Sequence, residues 1–191
     1  MTGQGKNALD TLLAESLKEL AVTRPIEKIT IKEITDKAGV IRPTFYNHFQ
    51  DKFELIEWII DEELLAPVRP LIQAGMITES MILIFTNISK EKVFYNRVVK
   101  LEGAITFKDI ANKCVKRFLQ EIIEKQFAGK GNGKSKYSWL NADVISTYYA
   151  QSMCFAAEQW ITTGMVNEPK EMAEAYYYML SHSMEQVVED L

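Results

Sequence analysis

The chain has 191 residues, which fits one large or two small domains with a substantial buried core. Hydrophobic residues make up 47% of it and charged residues 25%, proportions that are ordinary for a soluble globular protein. Its net charge of −4 argues against indiscriminate binding to nucleic acid, because that requires a broad basic surface. A small basic patch would still suffice for a dimer that binds a specific site.

The N-terminal residues, the apolar runs and the cysteines together indicate the cellular compartment of the protein. The first ten residues, MTGQGKNALD, contain no apolar signal-peptide segment, and no apolar run reaches membrane-spanning length. Cys114 and Cys154 are flanked by helical sequence and suggest reduced thiols rather than a disulfide framework. We therefore expect a cytoplasmic protein that contacts no membrane.

The first predicted helix covers residues 8–21, where leucines recur at helical spacing, and Pro25 ends it. Thr30 and Glu33 then have the spacing of a capping box, which opens a second helix. That helix should run to residue 38 and end at Gly39, because glycine adopts the left-handed conformation of a helix end at little cost.

A third short helix is expected to begin near Pro43, since proline is tolerated in a first turn. Asp51 and Glu54 repeat the capping spacing and open a further helix that should continue toward Leu64. Short helices joined by a glycine-containing turn are the outline of a helix-turn-helix unit.

The two faces of the third helix differ in chemistry. Phe45 and Phe49 lie one turn apart and should pack in the core. The remaining positions carry groups that read base edges or hold phosphates, although they could also simply face water in an ordinary helical hairpin. These positions are Arg42, Pro43, Thr44, Tyr46, Asn47 and His48.

At these residues the sequence resembles the tetracycline-repressor (TetR) family of bacterial transcription regulators. The family's DNA-binding signature, roughly I-x-x-I-x-x-x-A-G-V-x-x-x-T-x-Y-x-x-F-x-x-K-x-x-L, is met over about the first third of the chain. The segment RPTFYNHFQDKFELIEWI is similar to the corresponding segment of a subgroup that includes regulators of dihydroxyacetone-kinase operons. The matching positions are Ile31, Ile34, Ala38, Gly39, Val40, Thr44, Tyr46, Phe49, Lys52 and Leu55.

The resemblance implies an all-α homodimer that binds a double-stranded DNA operator. In that arrangement Arg42, Pro43, Thr44 and Asn47 would meet bases, with Pro43 able to touch a thymine methyl group. Phosphates would be held by Tyr46, His48, Lys52 and Thr30.

One residue departs from the family pattern. Ile41 stands where the family often has Ser or Asn, residues that cap the recognition helix. Pro43 partly offsets the missing cap by fixing the backbone of the first turn.

The rest of the chain also reads as helical, with helices expected at residues 76–89, 90–101, 106–127, 141–163 and 169–188. Pro67 and Pro70 mark the boundary between a DNA-binding domain at 1–66 and a regulatory and dimerisation domain at 67–191. The basic GKGNGKS loop between the third and fourth of these helices follows a helix and lacks the spacing of a phosphate-binding loop, so we expect a solvated linker.

The last two helices have apolar and aromatic faces that could be core or a dimer interface, and we favour the interface. In the TetR family the C-terminal domain usually holds a small-molecule pocket, although a partner protein is an alternative regulator. Aromatic residues at helical spacing are core more often than pocket lining, and the candidate lining residues are Phe94, Tyr95, Phe107, Tyr148, Tyr149, Met153 and Phe155.

Residues typical of catalysis are missing from the sequence. His48 and His182 are its only histidines, the cysteines form no C-x-x-C pair, and no serine stands in a nucleophile elbow. His182 is expected to be packed or to lie in an interface. We expect no enzyme activity, no metal and no cofactor. Two alternatives remain at this point, a helical protein-interaction module or co-regulator that keeps the motif without strong DNA binding, and a small helical enzyme.

Overall fold

The computed structural model describes the backbone of residues 3–127 and 137–191, and the side chains of residues 8–125 and 137–191. Within these ranges the chain is all-α, as predicted, and contains no strand. The GKGNGKS loop lies outside the described residues. The helices are α1 (Gly3–Thr23), α2 (Ile31–Lys37), α3 (Arg42–Tyr46), α4 (Lys52–Ile59), α5 (Arg69–Gln73), α6 (Ile77–Lys90), α7 (Lys92–Val98), α8 (Phe107–Phe127), α9 (Ala142–Thr162), α10 (Pro169–Ser181) and α11 (Met184–Glu189).

The N-terminal segment, residues 3–66, packs α1 against α2 and α4. Its interior is aliphatic, because α1 places Leu13 and Leu17 one turn apart and both are fully buried. A short 3₁₀ turn, Ile26–Lys28, replaces the predicted irregular link between α1 and α2 and buries Ile26. The predicted first helix is confirmed, and it begins earlier than residue 8.

The helix that starts at α4 changes its hydrogen-bond spacing at residue 60. Residues Ile60–Leu65 form a π-helical stretch, and Ile60 keeps helical backbone angles, so α4 and the stretch make one continuous rod. The predicted continuation toward Leu64 is therefore confirmed, with a local widening. Isolated π turns inside α-helices occur frequently at functional sites.

The C-terminal segment, residues 67–127 and 137–191, is built around two helix pairs. α8 packs along α9, and α10 packs against α6. The expected break at Pro67 and Pro70 instead contains the short helix α5, with Pro70 in its first turn, where proline is tolerated. Cys114 and Cys154 are free and buried, and burial raises the pKa of each thiol to about 12, which keeps them protonated.

The prediction of a single last helix over residues 169–188 is wrong in one respect. The observed helix ends at Ser181, and a second helix starts at Met184. Ser183 and Gln186 form a capping box that opens α11, with the Ser183 amide donating to Gln186 over 2.9 Å. His182 is exposed and stacks on the Tyr178 ring at 4.0 Å between centroids. It is therefore not packed in the core of this chain.

Lys18 ties the N-terminal segment to the C-terminal one. Its side chain is 7% exposed, and its ammonium lies 2.6 Å from Glu63 in the π-helical stretch and 3.7 Å from Glu91 at the start of α7. Burial lowers the pKa of Lys18, but hydrogen bonds with Glu63 and Glu15 outweigh it, so the pKa lies above its ordinary value. A buried lysine held by several carboxylates fixes how the two segments meet.

Candidate nucleic-acid interface

The helix that precedes the recognition helix is capped at both ends. The Thr30 hydroxyl accepts from the Glu33 amide at 3.3 Å, and the Thr30 amide donates to the Glu33 carboxylate at 2.9 Å, which forms the predicted capping box. At the other end Gly39 has φ +68, and the Val40 amide donates to the Thr35 carbonyl at 2.9 Å. This is a Schellman motif, so the turn between α2 and α3 has a defined geometry.

Helix α3 separates a buried side from an exposed side, as predicted. Phe45 is fully buried and Phe49 is 5% exposed, and their rings lie 5.7 Å apart. Four of the predicted contact residues lie on the surface of this helix or just after it, while Thr44 is half-buried. The exposed four are Arg42, Pro43, Tyr46 and Asn47.

Lys52 has a different environment from the expected one. Its ammonium donates to the carbonyls of Ile26, Glu27 and Ile29 at 2.8, 2.8 and 2.9 Å, and burial lowers its pKa. An ammonium has three donors, and all three are used here. Contact with a phosphate, as expected from the sequence, would require Lys52 to leave these carbonyls, so its geometry fits the role of fastening α4 to the 3₁₀ turn before α2.

His48 also points inward. Its side chain is 9% exposed, and its Nδ1 lies 2.5 Å from a carboxylate oxygen of Asp10 in α1. Asp10 is itself 7% exposed at the side chain. The pair connects the turn after α3 to α1. The predicted phosphate contact by His48 does not fit this arrangement, because the imidazole is covered.

Ile41 is the N-cap of α3 and makes no side-chain cap hydrogen bond, as the sequence indicated. The structure adds that Ile41 is 68% exposed, although large aliphatic side chains are usually buried. From the sequence, Ile41 was expected only to leave the recognition helix without a side-chain cap. Its place beside Arg42 on the same surface makes it a further candidate for apolar contact with DNA.

The residues expected to line an effector pocket fall into three groups. Tyr149 and Met153 line a cavity of about 190 Å³, and Tyr95, Phe107 and Met153 line a second one of about 40 Å³. Phe94 is buried against Tyr95, with ring centroids 5.3 Å apart. The remaining two do not line these cavities and lie on the surface of α9, with Tyr148 64% and Phe155 63% exposed.

The chain matches two profiles of known families. The profile described as "Bacterial regulatory proteins, tetR family" matches residues 14–59, and the one described as "Transcriptional regulator C-terminal region" matches residues 76–182. The second match alone covers more than half of the chain. The protein belongs to the TetR family. As a TetR-family protein it is a DNA-binding transcription regulator, which decides against the interaction-module alternative.

Individual relatives agree with this placement. The TetR-family chain is 23% identical over 155 residues to the HTH-type dhaKLM operon transcriptional activator DhaS of Lactococcus lactis subsp. lactis (strain IL1403), covering 80% of this chain and 79% of the relative. The predicted resemblance to dihydroxyacetone-kinase operon regulators is thereby confirmed.

Solved structures of low sequence identity share the TetR-family fold. The dihydroxyacetone kinase operon activator DhaS superposes with a TM-score of 0.61 at 20% identity, over 90% of this chain and 93% of that chain. NalD, the secondary repressor of the MexAB-OprM multidrug efflux pump in Pseudomonas aeruginosa, superposes with a TM-score of 0.59 at 14% identity, over the same shares.

Three further observations concern enzyme activity, metal binding and membrane insertion. The TetR family and the relatives are transcription regulators rather than enzymes. Among the residues that the structure describes, no cluster of His, Cys, Asp and Glu is placed to hold a metal ion. In the same residues no helix is both long and apolar enough to cross a membrane.

Proposed function

We propose that the protein is a cytoplasmic regulator that binds a palindromic operator as a homodimer, with one α3 helix in the major groove of each half-site. The observation that carries this proposal is the exposure of the polar side of α3 while Phe45 and Phe49 anchor its other side in the core. Two-fold symmetric DNA-binding dimers of this kind place their recognition helices about 34 to 36 Å apart.

The roles of the surface residues follow from their chemistry. Arg42 and Asn47 can form paired hydrogen bonds with guanine and adenine edges, while Pro43 offers apolar contact to a thymine methyl group. Thr44 is half-buried on the same helix and can add a hydroxyl. Ile41 extends the apolar part of this surface.

Phosphate contacts come from groups at the edges of that surface. Tyr46 is 54% exposed with its hydroxyl available, and Thr30 starts α2. For Lys52 and His48 we revise the expected phosphate contacts to positioning roles, because the partners described above already occupy them. The protein carries a net charge of −4, so specific contacts at this surface must supply more of the affinity than a general basic field.

A fluorescence anisotropy titration with labelled duplexes that tile the DNA flanking the protein's own gene tests the DNA part of the proposal. Tyr46→Phe should weaken binding to all duplexes alike, because it removes a phosphate contact. Asn47→Ala should relax the preference at one base pair by about 1 to 3 kcal/mol.

Tyr137→Phe, which changes an exposed tyrosine that lies before α9 and outside the proposed DNA and dimer contacts, is the matched control and should bind as the wild type does. If both α3 variants changed binding to every duplex by the same factor, the division between base and phosphate contacts would be wrong. If no duplex were bound in preference to an unrelated sequence, the operator proposal would be wrong.

The dimer interface is proposed to include the exposed side of α9. Tyr148 and Phe155 are separated by two helical turns, so they lie on one face, and both are more than 60% exposed. Tyr177 and Met179 add exposed apolar surface on α10. Trp160 and Tyr176, which share the apolar pattern, are buried in the core of the chain instead.

Sedimentation velocity tests this interface. Phe155→Arg places a charge at the centre of the proposed contact and should convert the dimer to a monomer with weaker operator binding. Val93→Arg, at a position that is 51% exposed on α7, should remain dimeric. A dimeric Phe155→Arg variant would show that the two chains meet elsewhere.

We further propose the division into a DNA-binding domain at 1–66 and a regulatory domain at 67–191, with control exerted through the second domain. Support comes from the two profile matches, which lie on either side of residue 66. Between a small molecule and a partner protein as the regulator, the cavities among α6, α8, α9 and α10 favour the small molecule.

A further inference from the structure

Helix α1 carries both of the acidic or basic side chains that are buried among the described residues, Asp10 and Lys18. Asp10 pairs with His48 in the turn after the recognition helix α3. Lys18 follows at about 12 Å along the helix axis and meets carboxylates of the π-helical stretch and of α7. One helix therefore joins the recognition helix to the C-terminal segment, with a buried charged contact at each place.

Lys18 has contacts to both segments of the chain. Its ammonium donates to the two carboxylate oxygens of Glu63 at 2.6 and 2.7 Å and to Glu15 at 3.0 Å, and it lies 3.7 Å from Glu91. Asn87 of α6 holds the same part of the rod, because its amide nitrogen donates to the Glu63 carbonyl at 3.0 Å. The rod, α1 and the start of α7 are thus fastened at one point.

The kind of contact at this point determines how firmly the angle of α1 is held. Apolar packing is not directional, so the aliphatic side chains of α1 would keep most of their burial if the helix tilted by a few degrees. Charge-assisted hydrogen bonds depend on distance and angle, and a buried ammonium that leaves its carboxylates loses its only compensation. We therefore expect Lys18 to restrict the tilt of α1 more than its contact area suggests.

A tilt of α1 about Lys18 displaces the recognition helix. Over the distance of about 12 Å to Asp10, a tilt of about 10° moves Asp10 and the paired His48 by about 2 Å. In a two-fold symmetric dimer the displacements of the two recognition helices add to about 4 Å, whereas neighbouring base pairs lie about 3.4 Å apart. A modest tilt at Lys18 is therefore equivalent to a change of about one base pair in the distance between half-sites.

We propose that Lys18 determines which spacing between operator half-sites the protein accepts. It is a positioning residue that touches no DNA, and it acts by fixing the angle of α1 against the C-terminal segment. With Lys18 in place, one spacing fits both recognition helices. Without it, neighbouring spacings are tolerated. This role rests on the proposed function, because it requires a homodimer on a palindromic operator.

Fluorescence anisotropy with operators of altered spacing tests the role of Lys18. One base pair is inserted at, or removed from, the centre of the operator found by the tiling titration, and both half-sites stay intact. The spacing ratio is the dissociation constant on the altered operator divided by that on the original one. For the wild type it should be at least about 10, because one recognition helix loses several base contacts at once.

Lys18→Met keeps the apolar stem of the side chain and removes its charge, so it should lower the spacing ratio about 3-fold or more. Glu91→Gln removes only the carboxylate at the start of α7, which is 41% exposed, and should lower the ratio by less. The preference at the base pair read by Asn47 should be unchanged in both variants, because the surface of α3 is intact.

Lys113→Met is the matched control. Lys113 also bridges the two segments, with its ammonium 2.7 Å from Glu57, but its side chain is 61% exposed. Exposed ion pairs contribute little to structure, so this variant should keep the spacing ratio of the wild type. An equal reduction in Lys113→Met would overturn the proposal, because any ion pair between the segments would then have the same effect.

The spacing ratio separates positioning from stability. A partly unfolded variant binds every operator more weakly by one factor, which leaves the ratio unchanged. Circular dichroism shows whether each variant is folded, and if Lys18→Met is not, Glu91→Gln decides. A wild-type ratio in either folded variant would overturn the proposal.

The wild type distinguishes failure of this role from failure of the proposed function. If it prefers no duplex, the operator proposal fails and the role of Lys18 fails with it. If it binds its operator but tolerates all spacings equally, only the role of Lys18 is wrong.

Discussion

The N-terminal and C-terminal segments are both helical, but they are packed differently. Of the described leucine, isoleucine, phenylalanine and tyrosine side chains that are less than 2% exposed, nine belong to the N-terminal segment. The C-terminal segment has more residues but contributes only Tyr95, Phe85, Ile110 and Ile161 to that group, and it supplies most of the lining of the two cavities. The difference indicates that the N-terminal segment, which carries the recognition helix, is tightly packed. The C-terminal segment is packed more loosely, which leaves it room to adjust to a ligand.

Truncating a phenylalanine in each segment should show this difference most strongly. Phe45→Ala removes a fully buried ring and should lower the free energy of unfolding by about 3 to 5 kcal/mol. Phe118 is 5% exposed but borders the larger cavity, so its ring has fewer packing partners to lose and Phe118→Ala should cost less. Urea denaturation followed by circular dichroism measures both, and equal losses would contradict the proposed contrast in packing.

A helix cap gives a smaller effect within the N-terminal segment. Ile41→Asn should supply the side-chain acceptor that α3 lacks and raise the free energy of unfolding by about 1 kcal/mol. Thr30→Ala, which removes the cap of α2, is the reciprocal variant and should lower it by about the same amount. Thermal melts compare the two.

The same Ile41→Asn variant separates stability from DNA contact. If Ile41 touches DNA, the variant will be more stable and yet bind the operator differently, as anisotropy will show. An unchanged or lower melting temperature would mean that α3 starts at another residue.

The smallest expected effect is a pH dependence at the capping box. The Thr30 amide, with help from Arg24, lowers the pKa of Glu33 from its ordinary 4.5 to about 2. Because the folded-state pKa is depressed, the stability that Glu33 contributes is complete above pH 4.5 and is lost as the pH falls toward about 2.

Glu33→Gln keeps a side chain that can cap but cannot titrate. Melting temperatures of the variant and the wild type, measured from pH 7 to pH 2, should therefore differ at neutral pH and converge below pH 4.5. Curves that remain parallel over this range would show that Glu33 does not titrate with a depressed pKa.

Features set by neighbouring residues could be predicted from the sequence. The capping box at Thr30, the turn at Gly39 and the two faces of α3 each depend on residues a few positions apart, and the structure confirms them. The break before α11 was missed, although Ser183 and Gln186 have capping spacing, because the apolar pattern continued through it.

Contacts between distant parts of the chain could not be predicted in this way. Lys52 meets carbonyls more than 20 residues earlier, and His48 meets Asp10 from α1, so no local pattern reveals that these side chains are occupied. Periodicity also places Tyr148 and Tyr149 on helix α9 without stating which of them faces the interior. The roles of individual residues in DNA binding remain predictions that the titrations test.

The rod formed by α4 and its π-helical stretch connects the cavities to the turn before α2. Its far end borders both cavities through Leu65, and its near end begins at Lys52, which fastens it to the turn before α2. With 14 residues it is about 20 Å long, so a tilt of about 5° at the cavity end displaces the other end by about 2 Å. In the proposed dimer, opposite tilts of the two rods would change the distance between the recognition helices by about twice that amount, against a spacing of about 34 to 36 Å between successive turns of the major groove.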